Sequence, residues 1–457
     1  MLLSMADVAT WNPMHWPGLW SDPSQLALLD ATPFNCLVLR WGPRKHAPAF
    51  LDAARSRGLA LVGLIEGEGR AEALRSAGSA HLDAVALDQP AETGLPVIAW
   101  GEKSKLAWKS AAAGFAIADG VWPGIPKRES AESGPTGAPW VDSNGWQVQL
   151  ARTLAGGKPV WLNAAPPAEG IVRSEAYTLA VADSAAYGAR WIVALHDKLA
   201  AAIAAGDSKA LATWRSMAAA TKFFDTHRAW SALPCYANVA VLSDFAGPNE
   251  YVAQELLNLL PRRGVSYRIL EKGQAEAASF DGLACILYPD QDPPPADLQR
   301  KLQAFLEQGG VLLAHNKWPA PAGAAPTPDT FRRWNIYAVG KGRLAIAAEE
   351  GIDPYEMAAD TQLILGHRND IARYFNFATL NGYYTAAENR AVLHLLNFAL
   401  RAAGHPVSVT LMRNYRGARL WRPDGAGSAN VELARLPAGV ELHLPPLGVY
   451  AAIELEL

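Results

Sequence analysis

From Val8 to Leu195 short apolar runs alternate with helix-like stretches, and a glycine closes most of those stretches. The runs are Val8–Trp11, Cys36–Trp41, Leu59–Ile65, Ala84–Leu87, Pro96–Trp100, Phe115–Ala118, Pro159–Leu162 and Trp191–Leu195. Between them lie Ala47–Arg57, Ala71–Ala77, Ser104–Ala112, Ser143–Leu154 and Ser174–Tyr187, with Gly58, Gly78, Gly114, Gly156 and Gly188 just beyond their ends. Glycine takes the left-handed conformation that ends a helix without a steric penalty. Strands alternating with helices build a parallel sheet, because each crossover returns the chain to the same end. Eight of them predict a (β/α)8 barrel of TIM type rather than an open doubly wound sheet. No G-x-G-x-x-G follows the first strand, so the dinucleotide-binding alternative lacks its phosphate signature. The segment after Leu87 is too short for a full helix, and the barrel is expected to be irregular there.

The chain has 457 residues, which predicts more than one domain. We divide it into a barrel over 1–232, a second α/β domain over 233–404 and a small antiparallel β domain over 405–457. Half of the residues are hydrophobic and 19% are charged, enough apolar surface for a large core. The net charge is −3, so no basic field points to nucleic acid. Cys36, Cys235 and Cys285 are too far apart in sequence for a local thiolate zinc site, and no metal or cofactor is expected. No apolar run is long enough to span a membrane. The opening MLLSMADVATWNPMHW lacks a basic n-region and an apolar h-region, which predicts a soluble protein with no signal peptide in this chain. That leaves a cytoplasmic protein or, if a leader was removed, a periplasmic or secreted one.

In such a barrel the chemistry sits where strands end, at the C-terminal face. Strand two ends in Arg40-Trp41-Gly42, strand three in Glu66-Gly67-Glu68, and strand four in Asp88. Strand five ends in Trp100-Gly101-Glu102, strand six in Asp119, strand seven in Asn163, and strand eight in His196-Asp197. An acid after a strand is also a natural helix cap or turn residue, so part of this set is expected to serve that way. The chain holds 16 Trp, more than its Tyr or Phe, and several adjoin Gly, Pro or Asn where strands end. Trp16, Trp41, Trp100 and Trp122 are therefore candidates to stack on the flat faces of sugar rings, with Asn163 and Asp197 as polar contacts. Barrels also cap their cores with aromatics, and that use competes. The connection Asp119–Trp140 (DGVWPGIPKRESAESGPTGAPW) is long enough for a lid, and Trp122 and Trp140 give it a surface to bind with.

Paired carboxylates on a Trp-lined mouth suit cleavage of a glycosidic bond, where one protonates the leaving oxygen and the other attacks or activates water. Asp88 and Asp119 are the favoured catalytic pair, with Glu66 and Glu102 in reserve. Their positions resemble those of α-galactosidase-type barrels, where the nucleophile follows strand four and the acid follows strand six. A β-galactosidase-type pattern implies glutamates after strands four and seven. Here those positions hold Asp88 and Asn163, so it fails at the second.

After Leu233-Pro234 come strand Asn238–Phe245, helix Asn249–Arg263, strand Tyr267–Leu270, strand Leu283–Tyr288, helix Ala296–Gln308 and strand Gly309–His315. This order, with FLEQGGVLLAH, resembles a class I glutamine amidotransferase-like, or flavodoxin-like, α/β domain. Barrel, amidotransferase-like domain and terminal β domain together resemble the β-galactosidase family that has an amidotransferase-like trimerisation domain. That resemblance implies a carbohydrate substrate and a homo-oligomer formed through the second domain. An active amidotransferase needs a Cys on a tight strand-to-helix turn. Cys285 lies inside an apolar run instead, so the domain is expected to be non-catalytic. Arg343–Ala347 and a helix Ala387–Ala402 are expected to complete it.

Alternating strands are expected at Val407–Leu411, Ala418–Trp421, Asn430–Arg435, Val440–Leu444 and Tyr450–Leu457. His15 and His196 are read as structural. Two functions remain open: a glycoside hydrolase, or a degenerate hydrolase-like protein that only binds carbohydrate.

Overall fold

The computed structural model describes residues 5–42, 46–89, 91–125, 140–168, 173–323, 325–327, 331, 333–400, 406–425 and 427–457. A short helix α1 (Met5–Thr10) precedes eight parallel strands in sequential order. They are β1 (Pro13–His15), β2 (Cys36–Arg40), β3 (Ala60–Ile65), β4 (Ala84–Leu87), β5 (Val97–Gly101), β6 (Gly114–Ile117), β7 (Val160–Asn163) and β8 (Arg190–Ile192). The His15 amide donates to the Val193 carbonyl at 2.9 Å, and the Val193 amide to Pro13 at 3.0 Å. These bonds join the last strand to the first and make the sheet a barrel.

Side chains alternate along each strand. Cys36, Val38, Val62, Leu64, Ala84, Ala86, Ile98 and Trp161 fill the interior. Leu37, Leu39, Leu61, Val85, Leu87 and Ile117 face outward under the helices. Those helices are α2 (Pro48–Ser56), α3 (Arg70–Ser79), α4 (Gly145–Leu154), α5 (Ser174–Ala185), α6 (Asp197–Ala204) and α7 (Ser208–Thr226).

Two expectations in the barrel are corrected. Val8–Trp11 is not the first strand: Val8 lies in α1, and Trp11 packs on Trp161 with ring centroids 6.2 Å apart inside the barrel. A four-residue apolar run suits a helix turn as well as a strand, and packing decided. The true strand opens on Pro13, a position that needs no ladder donor. Ser104–Ala112 is not a helix either; only Lys103–Lys105 makes a helical turn, of the 3-10 kind. Lys103 is buried there, its Nζ bonded to Gln254 at 2.6 Å, a tertiary contact that overrides local propensity. Between β4 and β5 no described residue is helical, as the short segment required.

The second unit is a six-stranded sheet with β9 (Val239–Ser243), β10 (Tyr267–Glu271), β11 (Cys285–Tyr288), β12 (Val311–Ala314), β13 (Trp334–Val339) and β14 (Gly342–Ala347). Their order is β10-β9-β11-β12-β14-β13, parallel except for β13. Helices α8 (Glu250–Arg262), α9 (Ala296–Glu307) and α10 (Pro354–Leu365) accompany it. Leu150 of α4 packs in the apolar cluster of this unit, which fixes it to the barrel.

The remaining strands are antiparallel: β15 (Ala372–Phe375), β16 (Leu380–Ala386), β17 (Arg390–Asn397), β18 (Val407–Leu411), β19 (Gly417–Trp421), β20 (Ser428–Val431), β21 (Leu433–Leu436), β22 (Gly439–Leu444) and β23 (Tyr450–Glu456). They form sheets β15-β18-β22-β21 and β16-β17-β23-β19-β20 around a shared core. The expected helix Ala387–Ala402 is thus overturned, since its centre is β17, and strands from Ala372 onward pair with those of the C-terminal module. Leu393 and Leu395 of β17 face that core, while Val392 and Leu396 pack in the barrel's outer cluster.

Candidate active site at the barrel mouth

Extending the interior phase of each strand to its C-terminal end brings His15, Arg40, Trp100 and Asn163 to the mouth. His15 Nε2 and Asn163 Oδ1 are 2.9 Å apart, and the His15 ring meets Trp100 edge-on at 5.9 Å. Burial pushes the His15 imidazole below its ordinary range; the Asn163 bond opposes this and the Arg40 charge adds to it. At neutral pH His15 is an uncharged hydrogen-bonding group. The Asn163 carbonyl accepts from the Gly120 amide at 3.0 Å. A Cβ at position 120 would stand 2.5 Å from that carbonyl oxygen, so the close approach of these two strand ends requires glycine.

The four candidate carboxylates are all exposed at this end. Asp88 is held by Arg70 Nη1 at 3.0 Å. Glu66 makes no hydrogen bond to a described residue, and its position follows Ile65, which pairs in register with Leu87 just before Asp88. Glu66, Asp88 and Glu102 are in phase with the interior residues of their strands. Asp119 is out of phase by one residue and accepts from the Lys103 amide at 3.0 Å. Glu102 pairs with Lys105 at 2.8 Å. Asp88, Asp119 and Glu102 are therefore held by three different partners, and Glu66 by none among the described residues.

The tryptophans divide. Trp100 forms part of the interior floor, 5% exposed. Trp122 is half-buried and stands edge-on to Tyr177 and Trp191 at 5.1 and 5.6 Å. Trp16 lies against Trp20 and Phe50, its indole N–H bonded to the Trp20 carbonyl. Trp41 faces outward beneath α3, donating to Ala73 and Ser76. Both rings are occupied by their own neighbours. Asp197 is exposed in the first turn of α6, and His196 caps that helix by accepting from the Lys198 amide.

The long connection after β6 is stapled at its base. Gly124 and Asp142 exchange two backbone hydrogen bonds of 2.8 and 3.0 Å, and Asn144 bonds both N–H and C=O of Val121. Asn144 in turn donates backbone and side-chain N–H groups to Asp183, whose carboxyl is pushed up to about 7 by burial against those bonds. Residues 126–139, the centre of the expected lid, lie outside the described residues. Lys103 ties this edge to the second unit through Gln254, with its ammonium 4.8 Å from the Trp146 ring centroid. Burial lowers its pKa while Asp119 and Glu250 oppose.

The sequence reading took His15 as structural and did not single out Lys103; the structure brings His15 to the mouth beside Asn163 and buries Lys103 against Gln254, and a buried lysine carries no sequence signature. In the second unit burial pushes the Cys285 thiol up to about 12, the state of an inert core residue. Among the described residues no three His, Cys, Asp or Glu converge as metal ligands, and no helix is long and apolar enough to cross a membrane.

The fold, an eight-stranded parallel barrel joined to a second α/β sheet and an antiparallel β unit, is similar to that of solved glycoside hydrolases. The model superposes on the α-L-fucosidase isoenzyme 2 of Paenibacillus thiaminolyticus with a TM-score of 0.62 at 14% identity, covering 98% of this chain and 99% of the other. It is also similar to the polyextremophilic β-galactosidase of the Antarctic haloarchaeon Halorubrum lacusprofundi, with a TM-score of 0.54 at 12% identity, covering 97% and 98%. At such identities the likeness is one of fold. No family model and no curated protein matches the sequence.

Proposed function

We propose that this chain is a glycosidase acting at the C-terminal mouth of its barrel. The observation that carries the reading is the set of exposed carboxylates on consecutive strand ends, above a floor of Trp100, His15 and Asn163. In this reading Asp88, oriented by Arg70, is the nucleophile, and Asp119 protonates the leaving glycosidic oxygen. Trp100 and Trp122 present ring faces to the sugar, while neutral His15 and Asn163 take its hydroxyl groups. A second assignment, with Glu66 in place of Asp119 as the acid, is favoured by the phase of Glu66 and its register beside Asp88. Neighbouring parallel strands lie about 4.8 Å apart, close to the roughly 5 Å carboxylate spacing of retaining glycosidases.

The second unit is proposed to be an amidotransferase-like module without catalysis of its own. It forms one wall of the mouth through Gln254, and its outer faces are available for a homo-oligomer. The test is hydrolysis of a panel of chromogenic α- and β-glycosides by the native protein, Asp88→Asn, Asp119→Asn and Glu66→Gln. The reading requires turnover that collapses in Asp88→Asn and in one of the other two. No turnover with retained sugar binding would make the barrel a degenerate carbohydrate-binding one.

A further inference from the structure

A cavity of about 750 Å³ lies at the opposite end of the barrel, where the N-terminal ends of β7 and β8 meet the other two units. We propose that it binds a small organic anion, a ring-sized molecule carrying a phosphate, sulfate or carboxylate group. Arg152, Lys158, Arg190, Arg228 and Arg268 line it, and among the described residues no Asp or Glu does. Asp225, just outside, pairs with Arg190 and Arg228 at 2.8 Å each. The other three are tied mainly to carbonyl oxygens: Arg152 to Tyr187 and Ser231, Lys158 to Ser110, and Arg268 to Asp281. Burial lowers the Arg268 pKa, with Cys235 and Asp281 opposing. A concave site with this excess of positive charge attracts an anion.

The second observation is a set of polar atoms without partners. Trp230 Nε1, His394 Nε2 and Arg268 Nε are buried and make no hydrogen bond to a described residue. Trp230 and His394 are each 2% exposed, and all three residues line the cavity. His394 Nδ1 is engaged by the Tyr450 hydroxyl at 2.7 Å, which directs its other nitrogen's bonding capacity elsewhere. A buried donor left unmade costs about 1–3 kcal/mol, so such a site is completed by an acceptor.

The rest of the wall sets the size and shape. Phe224, Tyr267 and Tyr383 give it flat apolar surface. The volume falls within the roughly 300–1,000 Å³ of small-molecule sites and far exceeds what an inorganic oxyanion fills. Because Arg152, Arg268 and His394 come from three different units, an occupant would clamp them together. The inference does not depend on the glycosidase reading.

The test is isothermal titration with AMP, glucose 6-phosphate and citrate, with adenosine, glucose and inorganic phosphate as comparisons, at ionic strength matched with sodium chloride. At least one organic anion is expected to bind one-to-one, and its neutral counterpart not at all. Arg268→Gln and Trp230→Phe should each weaken that binding about tenfold or more, the range expected for a charged hydrogen bond in a buried site. Trp230→Phe keeps the aromatic packing and so tests the site even if Arg268→Gln fails to fold. Absence of binding by all three anions, or binding unchanged in Trp230→Phe, would overturn the proposal. Inorganic phosphate binding as tightly as the organic anions would overturn its ring-bearing part.

Discussion

The barrel and the second unit both place acids just beyond the ends of parallel strands, yet the two sets live in different environments. At the barrel mouth the Asp88 side chain is 43% exposed and, among the described residues, pairs with Arg70 alone. At the end of β11 Asp290 is 2% exposed and held by three donors. It accepts from the Ser243 hydroxyl, from the Asp244 amide at 3.2 Å and from Lys272 at 3.0 Å. Burial works against the Lys272 charge, but Tyr288 and Asp290 more than restore it. A buried carboxylate held by three donors is part of the framework, whereas one facing water is free to meet a substrate. The sequence pattern, a strand followed by an acid, is the same in both.

The contrast breaks most sharply by substitution at its two poles. Asp88→Asn is expected to lower turnover by about 10³-fold or more and leave the thermal midpoint nearly unchanged. Asp290→Asn should leave the chemistry intact and lower the midpoint. Equal losses of stability in both would erase the difference. Next, Lys272→Met leaves Asp290 as an uncompensated buried charge, which should cost roughly 3–5 kcal/mol in urea unfolding. An unchanged midpoint would mean that water reaches Asp290 freely.

A smaller effect is expected at the floor of the mouth. Gly120→Ala drives a Cβ into the Asn163 carbonyl and should cost about 1–3 kcal/mol, whereas Gly18→Ala, with no atom of a described residue within 4 Å, should be close to neutral. Matching Tm values for the two would show that the strand ends relax apart.

The smallest effect per unit of condition is a pair of opposed pH slopes. Burial lowers the His394 pKa to about 3, so its contribution is intact above 6.5 and is lost as pH falls toward 3. Burial raises the Asp183 pKa to about 7, so its contribution is intact below 3.8 and is lost as pH rises through 7. Between pH 6.5 and 3.8 the two slopes, each at most about 1.4 kcal/mol per pH unit, nearly cancel. Asp183→Asn should make stability fall on acidification over that window, and His394→Gln should make it rise. Urea midpoints at pH 4, 5 and 6 read both signs; identical slopes in the two variants would refute the assignment.

Much of the barrel was legible because β2, β3, β4 and β6 are buried on both faces and read as continuous apolar runs. The first strand was not, since Pro13-Met14-His15 has no hydrophobic run to announce it. The same logic explains the miss at β17. Its one face belongs to the β core and the other to the barrel, so Arg390–Asn397 shows no alternation and imitates a helix. The candidate site was legible as a place: strand ends named Asp88, Asp119, Glu66, Glu102, Asn163 and Trp100 as candidates, and these residues stand at the barrel mouth. What sequence could not separate was Trp100 on the interior floor from Trp41 on the outer wall, because one residue of phase decides between them.

The most direct test of the account is azide rescue of Asp88→Ala with an activated aryl glycoside chosen from the panel. With Asp88 as nucleophile at an intact mouth, the variant should be inactive in buffer and recover turnover with azide, releasing a glycosyl azide of anomeric configuration opposite to the substrate. Full turnover by Asp88→Ala without azide would place the chemistry elsewhere and contradict the account.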